Sequence, residues 1–93
     1  MKIRFEESFL NDLNDQVDYI AKDKPSAARN FKNDLLDNLS KYLKYPLHFK
    51  KSIYFENQNI RDYVFKGYVI VYYFDLNTNI VTVFGIVKYR NTL

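Results

Sequence analysis

The sequence contains no cysteine and no tryptophan, and only two glycines and two prolines occur among its 93 residues. The absence of cysteine excludes disulfide bonds, thiolate metal sites and thiol nucleophiles. No apolar run approaches the length of a membrane-spanning helix, and the N-terminal residues lack a signal-peptide pattern, so we expect no membrane association. A small chain without disulfides fits the reducing cytoplasm, where we expect this protein to act.

Aromatic residues are abundant, with nine tyrosines and eight phenylalanines. Together with a hydrophobic fraction of 47% they exclude a disordered chain and predict one domain over residues 1–93 with a modest core. The net charge of +3 is compatible with nucleic acid or with an acidic protein partner. Residues 6–23 carry six carboxylates against one lysine, which predicts an acidic helical face beside a basic remainder.

The first third of the chain has helical periodicity after a short alternating stretch. The alternation at Lys2–Glu6 predicts an edge strand. Apolar residues then recur at helical spacing, which predicts a helix from about Phe9 to Lys22 with Ser8 as its N-cap.

A second helix follows at once. Pro25 suits the first helical turn, where its missing N–H is not needed. The helix should run to about Lys44, because Tyr45 precedes a proline and is driven out of the helical conformation. Two helices with so short a connection are predicted to form an antiparallel hairpin.

The second half is rich in β-branched and aromatic residues and is interrupted by two turn-like segments, at residues 66–67 and 75–79. Strands are predicted at about Ile60–Phe65, Tyr68–Asp75 and Ile80–Val87. In the last strand, alternation predicts one face with Thr82, Phe84 and Ile86 and a second face with Val81, Val83 and Val87.

Residues 46–59 are less clear, and residues 52–56 form either a short strand or an ordered loop. The element order β-α-α-β-β-β predicts an α+β fold. We expect an antiparallel sheet of three C-terminal strands plus the short N-terminal strand, covered on one face by the helical hairpin. The opposite sheet face is expected to be open and edged by cations, which makes it the natural place for a site.

Several segments, in this order, resemble the RelE/ParE superfamily of bacterial type II toxins. They are residues 18–21, 25–31, 35–39, 43 and 46 in the helical half, and residues 60–61, 67–73 and 83–90 in the strands. The resemblance covers nearly the whole chain and implies a growth inhibitor that a cognate antitoxin binds and neutralises, without a cofactor. The hairpin is more similar to ParE than to RelE, and such toxins serve plasmid stabilisation.

The superfamily contains two mechanisms. ParE-like members inhibit DNA gyrase and have no known catalytic residues, whereas RelE-like members cut messenger RNA on the ribosome. Val64, Val69 and Tyr89 stand where nuclease relatives place working histidines and an arginine. The resemblance therefore implies a ParE-like, non-enzymatic inhibitor of gyrase, with a metal-independent, ribosome-dependent endoribonuclease as the alternative.

If the chain is a nuclease, the resemblance and the basic end of the last strand give four candidate catalytic residues, which are Arg61, Lys88, Tyr89 and Arg90. RNA cleavage needs a base for the 2′-hydroxyl, a cation for the phosphate charge and an acid for the leaving oxygen. The structural alternative for Arg61 is a salt bridge to Asp62 or Asp75. His48 is the only histidine and is expected to be solvated, and no metal-ligand spacing occurs.

The resemblance to ParE-like proteins implies that the helical hairpin binds the antitoxin, and a charged contact is also possible at the turn between the first two C-terminal strands. Phe9 and Tyr42 are predicted to be exposed apolar anchors for the antitoxin or the target. Lys66 is the candidate for a charged contact, and its alternative role is to keep the surface soluble.

Overall fold

The computed structural model describes residues 1–88, so the candidates Tyr89 and Arg90 lie outside the described residues. The elements, in chain order, are β1 (Lys2–Phe5), α1 (Glu7–Ala21), α2 (Pro25–Tyr42), a 3-10 turn (Pro46–His48), β2 (Ile60–Phe65), β3 (Tyr68–Asp75) and β4 (Ile80–Lys88). This order confirms the predicted α+β fold. No helix among the described residues has both the length and the apolar character needed to cross a membrane.

The four strands form one sheet in the order β1-β4-β3-β2. The three C-terminal strands pair antiparallel with their neighbours, as expected for runs joined by tight turns. β1 joins the free side of β4 in parallel, with Ile3 opposite Val81 and Phe5 opposite Val83. Parallel pairing requires a long connection, and the whole chain from α1 to β3 supplies it.

Both helices differ from prediction at one end. α1 begins at Glu7 with Glu6 at the N-cap position, and no side chain caps it, so the prediction of Ser8 as the cap is wrong. The reason is the sheet: the backbone N–H of Glu6 donates to the carbonyl of Val83, and the chain turns into the helix directly from that bond. α2 ends at Tyr42, two residues before the predicted end, because the chain bends ahead of the 3-10 turn.

The core lies between the helical hairpin and one face of the sheet. Its buried side chains are Phe9, Leu13, Phe31, Leu35, Leu39, Leu43, Tyr63, Phe65, Tyr68, Ile70, Tyr72, Phe74, Val81 and Val83. Aromatic rings contribute to the contacts between the two layers, for example Phe31 against Tyr68 with 5.1 Å between ring centroids. The hydrophobic hairpin face is therefore buried by the sheet, as the periodicity predicted.

A β-bulge interrupts β4. Val71 lies opposite Gly85 whereas Tyr72 lies opposite Val83, which leaves Phe84 as an extra residue. The alternation shifts at this point, so Ile86 packs against the core on the helix side. The expectation that Ile86 shares a face with Thr82 and Phe84 is therefore wrong, because simple alternation does not survive a bulge.

The second sheet face is only partly open. Residues 50–52 pair with the outer edge of β2, since the N–H of Ser52 donates to Ile60 and the N–H of Asp62 donates to Lys50. The following loop then crosses the face, where the ring of Phe55 packs on that of Phe84 with 5.6 Å between centroids. Residues 46–59, which were unclear from the sequence, thus contain one short bridge to β2 followed by an ordered loop. The loop covers part of the sheet face that was expected to be open.

Candidate functional site

Arg61 lies on the helix-facing side of β2, opposite Tyr72 in the register. Its Nε donates to the carbonyl of Gln58 at 2.7 Å, and its Nη1 donates to the carbonyl of Phe49 at 2.9 Å. Both bonds are charge-assisted, and they hold the two ends of residues 49–58, the segment that borders β2. Among the described residues Arg61 forms no salt bridge, so the alternative of a pair with Asp62 or Asp75 is wrong.

Lys88 lies at the far end of the sheet from Arg61. In the register it is opposite Tyr68, whereas Arg61 is opposite Tyr72 on the other side of β3. Four residues along a strand span about 13 Å, so the structure does not bring these two nuclease candidates together. The ammonium group of Lys88 instead lies 5.9 Å from the ring centroid of Tyr19 on α1.

His48 is exposed at the end of the 3-10 turn, as expected for a solvated histidine. Its ring meets the edge of Phe49 with 5.4 Å between centroids. Within residues 1–88 no three histidine, aspartate or glutamate side chains come together in an arrangement that holds a metal ion.

The buried phenols are held in the neutral form. Burial raises the pKa of Tyr72, and the nearby Arg61 opposes this effect only in part. Burial also raises the pKa of Tyr63 and of Tyr68, and the hydroxyl of Tyr68 bonds Gln16 at 3.1 Å. Phenols with raised pKa values are poor general bases near neutral pH, so these rings serve the core.

The three partner-binding candidates have different environments. Phe9 is fully buried and stacks on Phe5 at 5.9 Å, so the expectation that it is exposed is wrong. The early start of α1 does not change this, because Phe9 and Leu13 lie on the helical stripe that faces the sheet. A side chain without accessible surface cannot anchor a partner in this conformation.

Tyr42 and Lys66 are both exposed. Tyr42 is 41% exposed, and the hidden part of its ring stacks on Tyr63 at 6.3 Å. The ammonium group of Lys66 lies 3.6 Å from a carboxylate oxygen of Asp34, which ties the β2–β3 turn to α2. These two residues stay candidates for partner contact, Tyr42 at the C-terminal end of α2 and Lys66 beside its middle.

Sequence reasoning missed a cleft at the outer edge of β2, with a volume of about 660 Å³. One wall is formed by the chain after the 3-10 turn and the other by the second half of β2, and the lining residues are His48, Phe49, Lys50, Lys51, Ile53, Asp62, Tyr63, Val64 and Val69. Ile53 and Val64 are 77% and 65% exposed. No periodicity signals this cleft, because its two walls are joined only by tertiary pairing.

A comparison with protein families decides the identity. The model of the family described as the ParE toxin of the type II toxin–antitoxin system parDE matches residues 3–92. This chain belongs to the ParE toxin family. It is therefore the toxin component of a type II toxin–antitoxin system, as the resemblance implied.

Solved structures agree on the fold of this ParE-family toxin. The chain is similar to a structure described as a chromosomal ParDE toxin–antitoxin system from P. aeruginosa, with a TM-score of 0.77, 13% sequence identity and 97% coverage of both chains. At that identity the likeness shows the fold alone. No curated protein matches the chain by sequence.

Proposed function

We propose that this ParE-family toxin inhibits DNA gyrase by binding it, without catalysis, and that a cognate antitoxin neutralises it in the cytoplasm. The observation that carries the proposal is the position of Arg61, whose guanidinium is bonded to two backbone carbonyls on the helix side of the sheet. The family supplies gyrase as the expected target, and membership of a toxin–antitoxin system supplies the antitoxin.

Nuclease chemistry requires a base, an acid and a cation that all reach one phosphodiester. Catalytic groups act at hydrogen-bond distance, within about 3 Å of the atoms that exchange protons. Arg61 and Lys88 are separated by four residues along the sheet and by the width of β3. Arg61 is moreover occupied by the carbonyls of Phe49 and Gln58. These contacts favour inhibition by binding over RNA cleavage.

Two assays on the purified chain test the proposal. The chain is added to gyrase acting on relaxed plasmid, and separately to a coupled translation reaction in which transcript ends are mapped by primer extension. We expect loss of supercoiling and no new transcript ends. Ribosome-dependent cleavage with normal supercoiling would replace our proposal with the endoribonuclease alternative.

Growth on induced expression gives the matching test in cells. We expect growth arrest that co-expression of the adjacent open reading frame relieves, since an antitoxin is encoded beside its toxin. The substitution Lys88→Ala should leave the arrest unchanged, because Lys88 is a candidate catalytic residue only in the nuclease alternative and its ammonium group approaches the ring of Tyr19. Absence of arrest and of any effect on gyrase or translation would indicate a degenerate member that only binds its antitoxin.

A further inference from the structure

The outer edge of β2 is paired over half of its length. The N–H of Asp62 points outward and donates to the carbonyl of Lys50 at 3.0 Å. Alternate residues of a strand turn their backbone groups to the same side, so the N–H and the carbonyl of Val64 also point outward, away from β3. Within residues 1–88 neither group has a hydrogen-bond partner, because His48 leaves the line of β2 in the 3-10 turn.

The cleft beside Val64 has an apolar surface with one unsatisfied acceptor. The side chains of Ile53 and Val64 are both largely exposed and flank the cleft. One carboxylate oxygen of Asp62 accepts the N–H of Ile53 at 3.1 Å, but the other is buried without a partner among the described residues. The exposed side chains of Ile53 and Val64, rather than this buried oxygen, are therefore the groups that a bound chain can contact.

Two adjacent lysines lie along one side of this apolar surface. Lys50 and Lys51 are exposed on the rim, and neither forms a salt bridge among the described residues. Asp62 is the only acidic residue that lines the cleft in the described chain. The rim is therefore complementary to carboxylates that flank an apolar side chain.

We propose that this cleft binds an extended, acidic segment of the antitoxin, which continues the sheet beyond residues 50–52. The segment pairs its backbone with the two free groups of Val64 and places one apolar side chain against Val64 and Ile53. Its carboxylates meet Lys50 and Lys51. Strand addition of this kind obtains affinity from backbone hydrogen bonds and specificity from side-chain pockets. The inference rests on the proposed function for the existence of an antitoxin, but it does not depend on gyrase as the target.

The first test measures binding of the full-length protein encoded next to this chain to purified variants by calorimetry. We expect Val64→Glu to weaken binding by about tenfold or more, since it removes the apolar contact and adds a repelling charge. The matched control is Val87→Glu, an exposed valine near the end of β4 and outside the cleft, which should change binding less than about threefold.

A charge-reversal pair tests the rim. Lys50→Glu with Lys51→Glu should weaken binding by about tenfold at low salt and flatten its salt dependence. Lys22→Glu with Lys24→Glu makes the same change in net charge between α1 and α2, and should have little effect. Equal weakening by both pairs would mean that net charge alone causes the effect. It would overturn the assignment of Lys50 and Lys51 to partner binding.

Amide hydrogen exchange tests the backbone pairing without any substitution. The N–H of Val64 should exchange about tenfold more slowly in the complex than in the free chain, whereas that of Val87, already in the β3–β4 ladder, should change little.

If the antitoxin binds but leaves Val64 unprotected and Val64→Glu harmless, the cleft assignment fails and the proposed function stands. Loss of gyrase inhibition in Val64→Glu with normal antitoxin binding would assign the cleft to the target and overturn the inference. If the unmodified chain binds no such protein, the proposed function fails together with the inference.

Discussion

The side chain of Arg61 donates a hydrogen bond from Nη1 to the backbone carbonyl of Phe49 at 2.9 Å. Its Nε bonds the carbonyl of Gln58 as well, so one guanidinium holds both ends of the segment that borders β2. The cleft beside β2 and the loop over the sheet are bounded by this segment. A residue that the resemblance associates with chemistry thus has a structural role in this chain.

Replacing Arg61 by alanine should lower the free energy of unfolding by about 2 kcal/mol, since hydrogen bonds to charged groups contribute about 1.5–3 kcal/mol. Urea unfolding followed by circular dichroism measures this change. Lys88→Ala is the matched control and should change stability by less than about 0.5 kcal/mol, because that lysine is exposed. Full stability of Arg61→Ala combined with loss of toxicity would contradict a structural role for this residue.

Removing the hydroxyl of Tyr72 should also destabilise the fold. The side chain is fully buried, and its hydroxyl donates to the carbonyl of Pro46. Tyr72→Phe leaves that carbonyl without its partner, at a cost of about 1–3 kcal/mol. Tyr45→Phe removes an equivalent hydroxyl from an exposed ring and should not change stability. Thermal unfolding of both variants measures the difference. Equal melting temperatures for the two variants would show that the Tyr72 bond contributes nothing.

Stability should fall at alkaline pH. Burial raises the pKa of Tyr72 above its ordinary value of 10.0, so the folded chain keeps this proton after the unfolded chain has lost it. The contribution of the neutral phenol is complete below pH 10 and is lost as the pH rises towards the folded pKa. The free energy of unfolding should therefore decrease above pH 10, and decrease less steeply in Tyr72→Phe. Parallel curves for the two proteins would contradict this linkage.

The β2–β3 turn offers a stabilising substitution. Lys66 has a φ of 46° and precedes Gly67 with a φ of 82°, which are the left-handed conformations of a tight hairpin turn. Asparagine adopts this conformation more readily than lysine, so Lys66→Asn should stabilise the turn by about 0.5–1 kcal/mol. The lost ion pair with Asp34 is exposed and offsets part of the gain.

The Asp34→Asn background separates these two effects. The ion pair is already absent there, so Lys66→Asn should show its full stabilisation in urea unfolding. Destabilisation in both backgrounds would mean that the lysine side chain supports the turn by contacts other than Asp34, such as its approach to the Phe65 ring at 5.3 Å.

The strands were predictable because turn-forming residues mark where they end. β2 and β3 have the bounds expected from β-branched and aromatic runs that stop at Lys66-Gly67 and at Asp75. The bulge in β4 was not predictable, since Val83 and Phe84 are both apolar and either fits either face. A one-residue change of register in such a strand leaves no mark on the hydrophobic pattern.

The candidate site was less predictable than the fold, for a related reason. Arg61 was singled out by its position, but its partners are the backbone carbonyls of Phe49 and Gln58, and a backbone carbonyl has no signature in a sequence. The cleft at Val64 forms because residues 50–52 pair with β2 but His48, in the 3-10 turn, does not. Such tertiary relationships require the register of distant segments, which periodicity does not contain.

The contact between Phe55 and Phe84 should control the loop over the sheet. The two rings meet edge to face at 5.6 Å, and an aromatic pair of this kind contributes about 1 kcal/mol. Phe55→Ala should therefore lower the free energy of unfolding by about 1 kcal/mol and speed amide exchange in residues 53–57. Ile53→Ala truncates a more exposed side chain in the same loop and should change neither quantity. If neither substitution changes exchange or stability, the loop is held by its backbone bonds alone, and the contact between Phe55 and Phe84 has no part in ordering it.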